Sequence, residues 1–278
     1  MGSYLVGLVG RGIGPSLSPA LHEREADLLG LRYLYRRLDL DELDLPAEAV
    51  GDVLAAAWLA GYDGLNITHP CKQHVLDHLD DLDPTAAALG AVNTVVFRDG
   101  RAVGHNTDTT GFARAVEVGL PDARLDRVAV LGAGGAGAAC TYALLTLGAG
   151  RVEVFDLLPE RAESLARRFG SERVVAGDSF PDAMSEVDGV VHATPTGMHD
   201  HPGLPLPVEL LDPRLWVADV VYRPLNTALV EAARSRGCRV LDGGRMAVFQ
   251  AADAFRLFTG RTPDQDRMLR HFDTLEAS

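Results

Sequence analysis

An apolar run, Val128 to Leu131, leads straight into Gly132-Ala133-Gly134-Gly135-Ala136-Gly137, and small residues continue from there to about Leu147. This is GxGxxG between a strand and a helix. The first glycine allows a tight turn, the second lets backbone approach a pyrophosphate, and the third lets the helix lie close on its strand. Amides left free at the helix start complete an anion site. The next apolar run, Val152 to Phe155, ends at Asp156, 24 residues after Gly132, where an acid can accept hydrogen bonds from a ribose. A 2′-phosphate there would meet repulsion on the order of 4 kcal/mol, taking about 4 Å and an effective dielectric near 20. The pattern therefore predicts NAD rather than NADP. Two alternatives stay open: Asp156 as a cap for the following helix, and Arg161 turned toward a phosphate instead of stacking on adenine or pairing with Asp156.

The same stretch invites a membrane reading, because Val128 to Gly150 runs 23 residues without a charge. Its six glycines argue for a soluble nucleotide-binding turn. With 39 acidic against 26 basic side chains and a net charge of −13, the chain opposes the phosphate neutralisation that nucleic-acid binding requires. Neither nucleic acid nor membrane is an expected partner. Cys71, Cys140 and Cys238 form no CxxC pair, and the start MGSYLVGLVGRG lacks the pattern of a secretory signal, so a cytoplasmic location is expected. His69, His74 and His78, like His199-Asp200-His201, lack the convergent spacing of a metal site, and no metal is expected.

Apolar β-type runs alternate with helical patterns along the chain, which predicts an α/β fold with mainly parallel sheets. Two domains are expected. Residues 1–109 form a substrate-binding and catalytic domain, completed by returning C-terminal helices over 247–278; residues 110–246 form a Rossmann-like, doubly wound dinucleotide-binding domain flanking a cleft with the first. A hairpin is predicted with arms Ala91 to Phe97 and Ala102 to His105, turning at Asp99-Gly100.

Of the 26 basic residues, 25 are arginine, and the one lysine is Lys72. A guanidinium serves wherever positive charge suffices, whereas a group that must lose and regain a proton has to be an amine. Lys72 is either a surface residue left over in an arginine-rich composition or an acid–base group. It lies in Asn66-Ile67-Thr68-His69-Pro70-Cys71-Lys72, read as a strand end followed by a helix from Pro70 to about Leu79. A helix start and burial would favour the neutral amine, able to exchange protons with a substrate hydroxyl. Asn106-Thr107-Asp108 opens another helix, with Thr107 or Asp108 as its cap or Asp108 as a carboxylate holding the reacting hydroxyl. In Ser16-Leu17-Ser18-Pro19, Ser18 reads as an N-cap with Pro19 at the first helical position. The two hydroxyls with free amides also suit a small carboxylate. Gln250 interrupts an apolar helix face, and Tyr222 follows an apolar strand.

Together these segments resemble the shikimate/quinate dehydrogenase family, through SxSPxxH, NITHPxK, LGAVNT, NTDxxG, GAGGAG, ATPxG and a late Gln-Ala pair, in order over nearly the whole chain. The resemblance implies an oxidoreductase that reversibly oxidises a ring hydroxyl of shikimate, with quinate as a further substrate, hydride passing to a nicotinamide. It implies Lys72 and Asp108 as the catalytic pair and Ser16 and Ser18 as carboxylate contacts. Asn66, Thr68, Asn93, Tyr222 and Gln250 would line the remaining substrate pocket. On the cofactor side it implies Gly132, Ala133, Gly134, Gly135, Ala136, Gly137, Asp156, Leu157, Arg161, Thr194, Pro195, Met198, Val221 and Gly244. The run Phe155-Asp156-Leu157-Leu158-Pro159 stands where many members carry a basic cluster for the 2′-phosphate, so the chain resembles the NAD-using branch. Some quinate users carry Thr where this chain has Ser18, and His192 replaces a more usual Asn. An amino analogue of shikimate as substrate, or a noncatalytic NAD- or metabolite-binding sensor, are the competing readings. A second copy of the chain is a candidate partner.

Overall fold

Two units share the chain in the computed structural model, which describes residues 2–170 and 172–277. They comprise Met1–Thr107 with Gln250–Ser278, and Asp108–Phe249. The first holds β1 (Ser3–Gly10), α1 (Ser18–Leu28), β2 (Arg32–Asp39), α2 (Val50–Leu59), β3 (Gly64–Ile67), β4 (Asp81–Leu82), α3 (Pro84–Leu89), β5 (Thr94–Arg98) and β6 (Arg101–His105). Its sheet runs in the order β2-β1-β3-β5-β6-β4. The pairs β1–β2, β1–β3 and β4–β6 are parallel, while β3–β5 and β5–β6 are antiparallel. β1 is apolar throughout its second half because both its faces are covered. Val9 joins a core with Leu40, Val50, Leu54 and Ile67, and Val6 and Leu8 join another with Tyr35 and Phe258. The expected hairpin forms, with Asp99 and Gly100 at φ of 52° and 73°, the left-handed pair that a tight two-residue turn needs.

In the second unit lie α4 (Thr107–Gly119, entered at its second residue), β7 (Arg127–Leu131), α5 (Gly135–Thr146), β8 (Arg151–Phe155), α6 (Pro159–Phe169), β9 (Val174–Ala176), α7 (Phe180–Met184), β10 (Gly189–His192), β11 (Trp216–Asp219), α8 (Ala228–Ser235) and β12 (Arg239–Leu241). α9 (Gly243–Thr259) passes from this unit into the first, which ends with α10 (Gln265–Glu276). The second sheet is wholly parallel, in the order β12-β11-β10-β7-β8-β9, with the glycine turn leaving a central strand. This is the doubly wound α/β arrangement that the strand–turn–helix pattern predicts. The charge-free stretch becomes β7, the turn and α5; no helix among the described residues is long and apolar enough to cross a membrane.

One expected helix is absent. After Pro70 the chain makes turns and then a five-residue 3₁₀ helix, His74–His78, in place of an α-helix to Leu79. An α-helix would use the Lys72 carbonyl for the amide of Leu76, but the Val92 amide takes it at 2.9 Å and Leu76 bonds Gln73 instead. Competition from a distant backbone group thus overrides the local pattern. The acidic run Asp77 to Asp83 ends in a structural cap. Asp83 accepts from the amides of Thr85 and Ala86 at 2.7 and 3.0 Å and pairs with His105 at 3.0 Å. Burial would raise the Asp83 carboxyl, but the His105 bond and the two amides outweigh it and hold the group below its ordinary value.

α10 is fastened to α1 by charge as well as by buried Met268 and Phe272. Glu25, buried on α1, accepts from Arg267 Nη2 at 2.6 Å and Nε at 2.9 Å and from the Asp264 amide at 2.8 Å. The fork satisfies a carboxylate that cannot reach water. Arg267→Ala is expected to destabilise the protein by on the order of 3 kcal/mol, because a buried charge loses its partner. Urea unfolding would read this as a lower midpoint at unchanged slope; a loss below about 1 kcal/mol would show that water replaces the guanidinium.

Candidate active site

Register assembles the polar groups of the first unit. Val9 of β1 pairs with Ile67 of β3, so the loops that follow the two parallel strands leave side by side. The Arg11 amide reaches the His69 carbonyl at 3.0 Å, and a side chain at Gly10 would strike Thr68 Cγ2 at 2.3 Å. The serine motif and the lysine motif are thereby neighbours. Ser18 is the first residue of α1, with Leu17 at the cap position, so Ser18 is not the expected N-cap. Its amide donates to Ser16 Oγ at 3.3 Å, and the two hydroxyls bond at 3.3 Å. Thr68 and Lys72 are half-buried beyond the end of β3. With no helix starting at Pro70, Lys72 receives none of the helix-end charge expected for it.

Behind these groups lies a buried polar network that sequence reasoning only partly foresees. Tyr35 donates to Asn66 Oδ1 at 2.8 Å, and Asn66 Nδ2 donates to Thr94 Oγ1 at 3.0 Å. Asn93 Oδ1 accepts the Thr107 amide at 2.8 Å while its Nδ2 donates to Thr107 Oγ1 at 2.9 Å. Asn93 therefore bonds the first amide of α4, and Asp108 lies in its first turn, 8% exposed. Tyr35, Thr94 and Thr107 are the network members the sequence reading misses as site residues. Ser16, Ser18, Asn66, Thr68, Lys72, Asn93 and half-buried Gln250 belong to the first unit, Asp108 and half-buried Tyr222 to the second.

The glycine turn has the division of labour its spacing implies. Gly132 has φ of 102°, and a Cβ there would lie 2.7 Å from the Ala193 carbonyl oxygen. At Gly137 a Cβ would fall 1.8 Å from the Gly132 carbonyl oxygen. Gly134 differs: its backbone is extended, and nothing lies within 4 Å of an added Cβ. It occupies the cap position of α5 with no side-chain bond, so the bare space is available to a ligand meeting the helix amides. Asp156 Oδ2 accepts from the Ala133 amide at 2.8 Å and Oδ1 from the Leu158 amide at 3.0 Å, tying the turn to the exit of β8. Asp156 thus lies beside the turn but does not cap α6, whose cap position is Leu158 with no side-chain bond. Gly135 and Ala136 are half-buried in the first turn of α5, Leu157 is 98% exposed, and Arg161 is exposed on α6. Pro195 and Met198 are exposed, Thr194 half-buried, and Val221 and Gly244 buried. A bare Gly134, uncapped helix amides and a fixed carboxylate fit a dinucleotide.

Two residues receive no functional role from the sequence, His192 being noted there only as a replacement for Asn. His192 and Asp219, the last residues of β10 and β11, pair in register and bond at 2.9 Å in full burial. The signal was available: each is a polar residue closing an apolar strand at the carboxyl edge of the sheet.

Residues 8–95 match the shikimate dehydrogenase substrate binding domain, and residues 244–271 match the shikimate 5'-dehydrogenase C-terminal domain. A Streptomyces avermitilis protein named shikimate dehydrogenase (NADP(+)) is 67% identical, covering 96% of this chain and 94% of that protein. A Corynebacterium efficiens protein named quinate/shikimate dehydrogenase (NAD(+)) is 49% identical, covering 98% of this chain and 99% of that protein. Among solved structures, quinate dehydrogenase from Corynebacterium glutamicum in complex with NAD superposes with a TM-score of 0.92 at 47% identity, covering 99% of this chain and all of that one.

His22, the last residue of the serine motif, is a core group. Its Nδ1 bonds Tyr33 at 2.9 Å, and the rings of Tyr35 and Phe255 lie 5.0 and 5.8 Å away. Burial pushes its pKa from 6.5 down to about 3. The folded state then refuses a proton that the unfolded chain accepts, so stability falls as pH drops from 6.5 toward 3, by on the order of 1 kcal/mol per pH unit. His22→Gln, which keeps a polar partner for Tyr33 without titrating, should lose less stability than wild type between about pH 7 and 5. Equal losses in paired urea titrations would remove His22 as a source of acid sensitivity.

Proposed function

The chain belongs to the shikimate dehydrogenase family, and from that premise we propose an NAD-linked enzyme that interconverts shikimate and 3-dehydroshikimate, with quinate as a second substrate. Its activity is that of a pyridine-nucleotide-dependent shikimate/quinate dehydrogenase. Relatives of both cofactor habits resemble it, so the choice of NAD rests on Asp156. Its carboxylate is fixed by two backbone amides beside the glycine turn, while Leu157 offers no charge to a 2′-phosphate. A ribose diol can donate to this carboxylate; a phosphate is repelled by it.

A bound nicotinamide supplies the hydride acceptor. In this proposal Lys72 exchanges a proton with the reacting oxygen, taking it as the ketone forms and returning it in the reverse direction. Asp108 accepts a hydrogen bond from the same hydroxyl and holds it for that transfer. Ser16 and Ser18 bind the substrate carboxylate with hydroxyls and amides, without a guanidinium. Asn66, Thr68, Asn93, Tyr222 and Gln250 meet the ring hydroxyls. Asn66 and Asn93 are braced by the buried network, which favours one rotamer for each. A cytoplasmic location belongs to the same reading and agrees with three buried, free cysteines, of which Cys71 is pushed up to about 11 by burial and so lacks the character of a nucleophile.

Initial rates with shikimate and quinate, each with NAD and NADP, test the proposal on purified protein. Shikimate with NAD is expected to give the highest kcat/KM, and a higher value with NADP would overturn the role of Asp156. Lys72→Ala should lower kcat by roughly 10²- to 10⁴-fold while leaving dinucleotide binding in place. Wild-type turnover in that variant would remove Lys72 from the chemistry.

A further inference from the structure

We propose that His192 is a positioning residue for the cofactor, acting through Thr194, a role that rests on the dinucleotide reading above. Asp219 is a hub of donors. It accepts from the Val221 amide at 3.0 Å and from the Thr227 hydroxyl, which caps α8, at 2.6 Å. A carboxylate so surrounded accepts from the His192 ring as well, which places the ring proton on Nδ1, 2.9 Å away. In the neutral tautomer Nε2 is then an acceptor, and its partner is Thr194 Oγ1 at 2.5 Å. The Thr194 hydroxyl must donate inward.

With its only hydrogen committed to His192, Thr194 Oγ1 has lone pairs left for donors, one of which is the Thr196 amide at 3.3 Å. Its methyl group meanwhile faces the glycine turn, because a Cβ added to Gly132 would lie 3.0 Å from Thr194 Cγ2. Thr194 is therefore clamped between a buried histidine and the first glycine of the dinucleotide turn. The half-buried hydroxyl offers an acceptor, so it suits a hydrogen-bond donor of the dinucleotide, a ribose hydroxyl or carboxamide N–H, and not a phosphate oxygen. A histidine present only to fill the core would need neither bond partner to lie in the turn.

Substitutions can separate the two ends of the imidazole. Asn places its amide near the position of Nδ1 and keeps Asp219 while losing Thr194; Gln reaches the position of Nε2 and keeps Thr194. Binding of NADH, titrated by fluorescence without substrate, is expected to weaken roughly tenfold in His192→Asn and in Thr194→Val, and less in His192→Gln. The double variant His192→Asn with Thr194→Val should be no weaker than Thr194→Val alone, since the histidine acts only through the hydroxyl that Val removes. KM for the dinucleotide should rise in step while KM for shikimate stays put. Unchanged NADH affinity in Thr194→Val would overturn the proposal even if the buried histidine variants fail to fold, and additive losses would show that His192 does not act through Thr194. The direct titration also separates this inference from the functional one: wild-type protein that binds NADH but oxidises neither shikimate nor quinate contradicts the activity alone.

Discussion

Parallel strands all release the chain at the same edge of their sheet, and that constraint organises both units. In the first, β1 and β3 run parallel in adjacent positions, so the serine and lysine motifs, about fifty residues apart, leave as neighbouring loops. In the second, β7, β10 and β11 lie side by side, and Gly132, the Thr194 turn and the Val221 loop all follow their carboxyl ends. Neither arrangement needs the loops to recognise one another. Backbone pairing places them, and side chains add chemistry to a position already fixed.

What the sequence reveals is what local rules control. GAGGAG after an apolar strand and Asp99-Gly100 between two β runs each carry a conformational demand few other structures meet, and each forms as read. The misreadings share a different cause. The helix expected from Pro70 is lost to the amide of Val92, twenty residues away. The first amide of α4 is bonded by Asn93, fourteen residues away. His192 meets Asp219 only because two strands pair in register. Partners brought by tertiary structure are invisible to any window on the chain.

The arginine bias also acquires a physical meaning. Arg267 closes a fork on Glu25, Arg127 and Arg151 share buried Glu153, and Arg214 satisfies the carbonyls of Met184 and Val187. Each uses the planar, many-donor geometry that an ammonium lacks. Arginine here is a structural fastener, and Lys72, standing in a loop beyond β3, is set apart from that use.

The three key glycines of the dinucleotide turn answer to different authorities. Gly132 and Gly137 are demanded by the protein's own backbone, and a methyl group at either would disturb folding whether or not anything binds. Gly134 has an ordinary extended conformation and open space before it. A screen for folded protein would accept many residues at Gly134 and few at Gly132 or Gly137.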